Sequence, residues 1–159
     1  MSTNLSPSAQ RIQLAIRELG LNCEVIELPG STRTASEAAE AVGCNLGQIV
    51  KSLVFASVTS HQPVLVLVSG TNRVNEQRLS AVFGESVIKA DGDFVRVQTG
   101  FAIGGVPPLG HIQPIRTFID ADLMAFDEVW AAAGTPHALF STTPADLLAM
   151  THGEVVNIS

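Results

Sequence analysis

The spacing of apolar residues along the chain changes several times, and each change predicts a helix or a strand. In PSAQRIQLAIREL the apolar residues recur at helical spacing, with Ser6 as the candidate cap and Pro7 at the first helical position. TASEAAEAVG predicts a second helix, in which Thr34 and Glu37 form a capping box and Gly43 ends the helix. VNEQRLSAVFG, DGDFVRVQTG and TTPADLLAMTHG predict three more helices.

Short apolar segments between these helices predict about seven strands. KSLVFASV and PVLVLVSG are separated by HQP, which favours a hairpin of two paired strands. The other candidate strands are CEVIEL, SVIKA, PIRTFID, EVWAAAG, HALFST and EVVNIS. Strands and helices in mixed order predict one α+β domain over residues 1–159, built around a curved mixed sheet.

Composition narrows the class of protein. Apolar residues make up 46% of the 159 residues and charged residues only 15%, which excludes a disordered chain. The apolar runs are strand-sized, far short of the roughly 20 residues of a membrane-spanning helix. MSTNLSPSAQRIQ has no signal-peptide pattern, so we expect a cytoplasmic protein with reduced thiols at Cys23 and Cys44.

The charge distribution limits the partners. The net charge is -6, and the basic residues are scattered singly along the chain. Binding along a nucleic-acid backbone usually requires a basic stripe. If the protein binds a nucleic acid, we therefore expect it to hold only an end of that molecule.

The sequence lacks the motifs of several common metal, nucleotide-binding and catalytic sites. The four histidines, at positions 61, 111, 137 and 152, have no metal-ligand spacing, so we expect no metal. The sequence has no phosphate-binding GxxxxGK[ST] loop, no GxGxxG and no GxSxG elbow. We therefore expect no cofactor.

Lys51 is one of only two lysines and lies in the apolar segment QIVKSLVFA. Both faces of this segment are largely apolar, which favours an interior strand, where an unpaired ammonium is costly. Two interpretations follow. Lys51 either reaches an anionic partner or a wet pocket, or it lies at a strand end and extends to solvent. The surface interpretation is favoured for Lys89.

The segment FAIGGVPPLGH places Gly104 and Gly105 directly before Pro107 and Pro108, with Val106 between the two pairs. Such a loop can be a tight connection into the next strand. It can also present rigid backbone N–H groups to a carbonyl or a developing oxyanion. His137 is either an ordinary histidine at a strand end or a hydrogen-bonding group at a pocket rim.

Four segments, read in order, resemble the YbaK family, also called the prolyl-tRNA synthetase-associated editing domain. They are RTASEAAEAVGCNLGQIVKSLVF, GTNRVNEQRL, TGFAIGGVPPLGH and VWAAAGTPHALFSTTPADLL. The resemblance runs from about Arg33 to the C-terminus. It implies a barrel-like α+β domain that uses no metal and hydrolyses the ester of a mischarged tRNA.

The resemblance also implies roles for individual residues. Lys51 matches the family's functional lysine near the terminal adenosine, Gly104 begins the G-x-x-x-P loop, and His137 matches a pocket histidine of some members. These three are the expected catalytic residues. The residues expected to bind the substrate are Ser52, Gly105, Val106, Pro107 and Pro108.

The function expected from this resemblance is trans-editing: deacylation of a mischarged tRNA, most often tRNA(Pro), with a prolyl-tRNA synthetase as a further expected partner. The expected amino acid is small and uncharged. Members that act on alanine often have Asn after the functional lysine, where this chain has Ser52. The alternative is a non-catalytic module that holds a tRNA 3′ end or a small anionic ligand in the same pocket.

Overall fold

Residues 5–159 are described by a computed structural model. Residues 1–4 lie outside the described range. They begin the N-terminal segment in which the sequence shows no signal-peptide pattern. The described residues form five α-helices: α1 Pro7–Glu18, α2 Ala35–Val42, α3 Glu76–Phe83, α4 Gly92–Thr99 and α5 Pro144–Thr151. They also form eight strands: β1 Val25–Glu27, β2 Ile49–Ser57, β3 Pro63–Ser69, β4 Val87–Lys89, β5 Arg116–Asp120, β6 Val129–Ala132, β7 Ala138–Thr142 and β8 Glu154–Val156. Each of the eight strands overlaps one of the eight segments named above, where about seven strands were expected in total.

Local sequence signals determine where the helices begin and end. The Thr34 hydroxyl accepts from the Glu37 N–H at 3.1 Å, and the Glu37 carboxylate accepts from the Thr34 N–H at 3.2 Å. This capping box is the predicted one. The helix ends at Gly43, whose φ of +73° is left-handed and therefore suits a residue without a side chain. At the start of α4 the Asp91 side chain accepts from the Phe94 N–H, and at the start of α5 the Thr143 side chain accepts from the Asp146 N–H.

All eight strands belong to one mixed sheet. Its order is β1-β7-β6-β2-β3-β5-β8, and β4 pairs with β2 beside this path. The predicted hairpin is confirmed, because β2 and β3 pair antiparallel along most of their length. The pairs β2–β6, β3–β5 and β5–β8 are parallel. The predicted α+β class with a mixed sheet is confirmed.

The core lies on both faces of this sheet, and β3 shows why. Leu65 and Leu67 point to the larger apolar cluster, into which α1, α4 and α5 also pack. Val64, Val66 and Val68 point to the opposite cluster, which α3 covers. The strand is therefore apolar on both faces, as the continuous run PVLVLV indicates. Among residues 5–159, no helix is both long enough and apolar enough to cross a membrane.

Part of one edge of β2 has no strand beside it. On the side away from β3, β6 pairs with Ile49 and Val50, and β4 pairs with residues 55–57. Because the Ala90 N–H also bonds Val54 on this side, residues 51–53 of the described chain remain uncovered there. This gap in the sheet positions the candidate site.

Candidate active site

A cavity of about 330 Å³ lies at the uncovered edge of β2. Its walls come from the segment before α2, from β2 itself and from the glycine-proline loop. We call it the Lys51 cavity. Its lining residues are Thr32, Arg33, Thr34, Ala35, Ala38, Ile49, Val50, Lys51, Ser52, Leu53, Ile103, Gly104, Val106, Ala132 and Leu139. None of them is acidic and none is a histidine.

The backbone of Ser52 faces this gap. The carbonyl of Val54 accepts from the Ala90 N–H at 3.1 Å, on the side of β2 away from β3. Alternate residues of a strand direct their backbone groups to the same side. The N–H and C=O of Ser52 therefore point to the uncovered edge, where a substrate can use them.

The side chain of Ser52 is also unusual. Its hydroxyl is buried, and no atom of residues 5–159 forms a hydrogen bond with it. A buried polar group without a partner costs about 1–3 kcal/mol. Such groups in folded proteins call for a specific explanation, and a bound ligand is one.

Lys51 is half-buried on β2, and its ammonium donates to the backbone carbonyl oxygen of Asn72 at 2.5 Å. Burial lowers the pKa of Lys51, as does the charge of Arg73, while the Asp120 carboxylate opposes both. Of the two interpretations of the sequence, the one in which Lys51 reaches a pocket agrees with this geometry, but its hydrogen-bond partner is a backbone carbonyl and not an anion.

Asn72 is itself held by carboxylates. Its Nδ2 donates to Asp120 Oδ2 at 2.8 Å and to Asp122 Oδ2 at 2.7 Å. Asp120 is 1% exposed, and its Oδ2 also accepts from the Ser69 N–H at 3.1 Å. The β3–α3 loop that carries the lysine's acceptor is therefore tied to the end of β5.

The glycine-proline loop enters the cavity through a tight turn. The Gly105 N–H donates to the Ala102 carbonyl at 3.0 Å, and Gly104 has a left-handed φ of +91°. Gly105 was expected to bind the substrate, but its N–H is engaged by this hydrogen bond and the residue does not line the cavity. Within residues 5–159 the N–H groups of Gly104 and Val106 make no hydrogen bond, and both residues line the cavity.

Gly105 serves a packing purpose instead. A Cβ on this residue would lie 2.9 Å from backbone atoms of Thr135. The Gly105 carbonyl accepts from the Gly134 N–H at 3.0 Å, which holds the loop against the turn before β7. Pro107 and Pro108 are buried behind the loop and do not line the cavity. The Pro107 carbonyl accepts from His111 Nε2 at 2.7 Å.

The structure does not bring His137 to the cavity wall. Its Nδ1 bonds the Gly30 carbonyl oxygen at 2.9 Å, and its own carbonyl accepts from the Leu28 N–H. It ties the segment before α2 to the turn before β7. Of the eight expected site residues, Lys51, Ser52, Gly104 and Val106 meet at the cavity.

Arg33 and Asn72 were not among the site residues expected from the sequence. Arg33 lines the cavity, and Asn72 positions the ammonium of Lys51. Nothing in their local pattern separates them from ordinary loop residues. Only the tertiary contacts to Gly104 and Lys51 identify them. In the described part of the chain, no three His, Cys, Asp or Glu side chains are grouped closely enough to hold a metal ion.

The chain is similar to proteins of known family and structure. The family model described as "Aminoacyl-tRNA editing domain" matches residues 30–150. A crystal structure of a candidate trans-editing enzyme for prolyl tRNA synthetase is 50% identical with a TM-score of 0.92, and the match covers 98% of this chain and 99% of that one.

Two curated relatives cover most of the chain. YwhH of Bacillus subtilis, a protein without an assigned function, is 31% identical over 124 residues, which are 78% of each chain. EbsC of Enterococcus faecalis, a candidate Cys-tRNA(Pro)/Cys-tRNA(Cys) deacylase, is 22% identical over 127 residues, covering 79% of this chain and 77% of that one. The matched region of the family model contains the whole Lys51 cavity. The chain belongs to the aminoacyl-tRNA editing domain family.

Proposed function

We propose that the protein is a trans-editing deacylase that hydrolyses the ester between a small uncharged amino acid and a mischarged tRNA, with tRNA(Pro) as the first candidate. One observation carries this proposal. Lys51 lines the same cavity as Gly104 and Val106, whose backbone N–H groups have no hydrogen-bond partner in the described residues.

These donors suit ester hydrolysis. When the oxygen of water adds to the ester carbonyl carbon, the carbonyl oxygen becomes an oxyanion, which fixed N–H groups stabilise without reorganising. The bond between that carbon and the ribose oxygen then breaks, and the ribose oxygen takes a proton. The products are the free amino acid and tRNA with an intact 3′ end.

The proton acceptor in this scheme comes from the substrate. No Asp, Glu or His lines the cavity, so the protein offers no ordinary general base there. The free ribose hydroxyl and the amino group of the aminoacyl moiety are the nearest candidates. Lys51 contributes positive charge towards the terminal ribose or phosphate, and Ser52 contributes backbone groups to the aminoacyl moiety.

The choice of tRNA rests on relatives. Both the 50%-identical structure and EbsC carry names that refer to prolyl-tRNA synthetase or tRNA(Pro). The net charge of -6 agrees with binding that is confined to the acceptor end. We therefore propose mischarged tRNA(Pro) as substrate and a prolyl-tRNA synthetase as a functional partner in the cytoplasm.

One observation favours a second function. Because no general base lines the cavity, the same pocket could hold a tRNA 3′ end or a small anionic ligand without reacting. The same contacts at Lys51, Gly104 and Val106 would then serve binding alone.

An ester-hydrolysis assay separates the two functions. The protein is incubated without added metal with tRNA(Pro) charged with alanine, cysteine, serine, threonine or proline, and release of amino acid is followed. The deacylase proposal expects release from at least one mischarged tRNA and slow release of proline. If the protein binds these tRNAs but releases no amino acid above the spontaneous rate, the deacylase proposal is wrong and the protein is a binding module.

A further inference from the structure

The side chain of Arg33 lies directly over Gly104. A Cβ on Gly104 would be 2.7 Å from Arg33 Cγ and 3.3 Å from its Nε. Only a residue without a side chain leaves room for the arginine at this place. Arg33 is exposed and also lines the Lys51 cavity, so the residue borders both the solvent and the candidate active site.

The backbone beside Arg33 is firmly held. Thr32 is 6% exposed, and both its N–H and its hydroxyl donate to the Pro136 carbonyl, at 2.6 and 3.0 Å. The ring of His137 bonds Gly30 on the same segment. The turn before β7 thus fixes both the Arg33 segment and, through Gly134, the glycine-proline loop.

The guanidinium itself is unpaired within residues 5–159. Among the described residues the ion pair joins Arg116 to Glu154, and the side chain of Arg33 forms no hydrogen bond; its backbone N–H donates to Ser31 Oγ at 3.2 Å. The nearby carboxylate of Glu37 accepts from the Thr34 N–H and the Ser31 hydroxyl, and Arg33 interacts with it through its charge without forming an ion pair. An arginine on a fixed backbone segment whose five side-chain donors are free is suited to bind a phosphate in a bidentate manner.

We propose that Arg33 binds the phosphodiester immediately 5′ of the terminal adenosine of tRNA. This inference rests on the proposed function, because it places the aminoacyl ester at Gly104 and Val106. In an aminoacyl-tRNA the anion nearest to the ester is that phosphodiester, one ribose away. An arginine lying over Gly104 is within one side-chain length of the ester site.

The test measures binding of the trinucleotide CCA, which carries no ester, by NMR titration. Two modified forms carry a neutral methylphosphonate, either 5′ of the adenosine or between the two cytidines. Arg33→Met should weaken binding of unmodified CCA by about tenfold or more, as expected for a charge-assisted contact. With the methylphosphonate 5′ of the adenosine, Arg33→Met should cause no further loss of affinity. With the methylphosphonate between the two cytidines, it should cause the same loss of affinity as with unmodified CCA.

Arg17→Met, on the exposed end of α1, is the matched control and should bind all three forms like the wild type. Arg33→Lys should recover part of the binding, because it keeps the charge and loses the planar fork. Equal losses for both methylphosphonates, unchanged binding by Arg33→Met, or no binding of CCA to the wild type would each overturn the proposal. Hydrolysis takes no part in this test, so its outcome is separate from that of the deacylase assay.

Discussion

The ammonium of Lys51 donates to the backbone carbonyl oxygen of Asn72, with an N···O distance of 2.5 Å. This contact fixes one of the three ammonium donors and leaves two for a ligand. It also links the lysine to the buried Asp120 carboxylate, which holds the side chain of Asn72. The position of the cation therefore depends on a loop outside the cavity wall.

Asn72→Ala tests this dependence. The substitution removes two hydrogen bonds to carboxylates and leaves buried Asp120 with fewer donors, which should cost about 1–3 kcal/mol of stability. Deacylation should fall, but less than in Lys51→Ala, because the cation is retained. Thermal melts and single-turnover rates measure the two effects. An unchanged rate would show that the loop does not position Lys51.

The lowered pKa of Lys51 predicts a pH dependence. Burial is the main cause, with the charge of Arg73 adding to it and Asp120 opposing it. As the pH rises through the lowered pKa towards the ordinary value of 10.5, Lys51 loses its proton in the folded state first. The unfolded state then binds more protons, so this group's contribution to stability rises with pH in that window.

The same proton loss should weaken binding of the tRNA end. We expect the affinity for CCA to decline on the alkaline side with a midpoint below 10.5. Lys51→Arg is the control, because the arginine keeps its charge throughout this range. An alkaline decline of equal size in Lys51→Arg would assign the effect to another group.

Gly105→Ala tests the packing of the glycine-proline loop. The new Cβ would lie 2.9 Å from the backbone of Thr135, which cannot move as a side chain can. We expect a loss of about 1–3 kcal/mol, as for other overpacked sites, together with slower deacylation. Gly30→Ala is the matched control, since a Cβ there meets nothing within 4 Å. Equal melting temperatures for the two variants would contradict this role.

The cavity walls predict the selectivity. The lining has no acidic side chain to pair with a lysyl or arginyl group, and Ile49, Val106 and Leu139 make it apolar. Alanine, serine, cysteine and threonine should be released fastest from a panel of charged tRNAs. Discrimination among them should be partial, because one methylene is worth about 1–3 kcal/mol. Faster release of lysine would be inconsistent with these walls.

Local signals were sufficient to predict most elements of the fold. The Thr34–Glu37 capping box and the glycine at position 43 act within a few residues of each other, so the sequence displays them directly. The apolar runs of β2 and β3 likewise predicted their hairpin. The sheet order could not be read in this way, because three parallel pairs join strands that are far apart in the chain.

The candidate site was predicted less completely. Lys51 and the loop were found from their unusual residue types, and the cavity brings Lys51, Gly104 and Val106 together. The hydrogen bond between His137 and Gly30 joins residues that are 107 positions apart in the chain. The contact between Arg33 and Gly104 likewise joins residues more than 70 positions apart. A pattern read along one segment contains no information on such contacts.

The most direct test of the proposed deacylase compares wild-type protein and Lys51→Ala in single-turnover hydrolysis of the mischarged tRNA(Pro) that the panel identifies. A lost charge-assisted contact costs about 1.5–3 kcal/mol, and misplacing the ester adds a further loss in turnover. Because each 1.36 kcal/mol is tenfold, we expect a rate at least about a hundredfold lower, with an unchanged fold by thermal melting. Lys51→Arg should restore little of the hydrolysis rate that Lys51→Ala loses. A wild-type rate in Lys51→Ala would contradict the account.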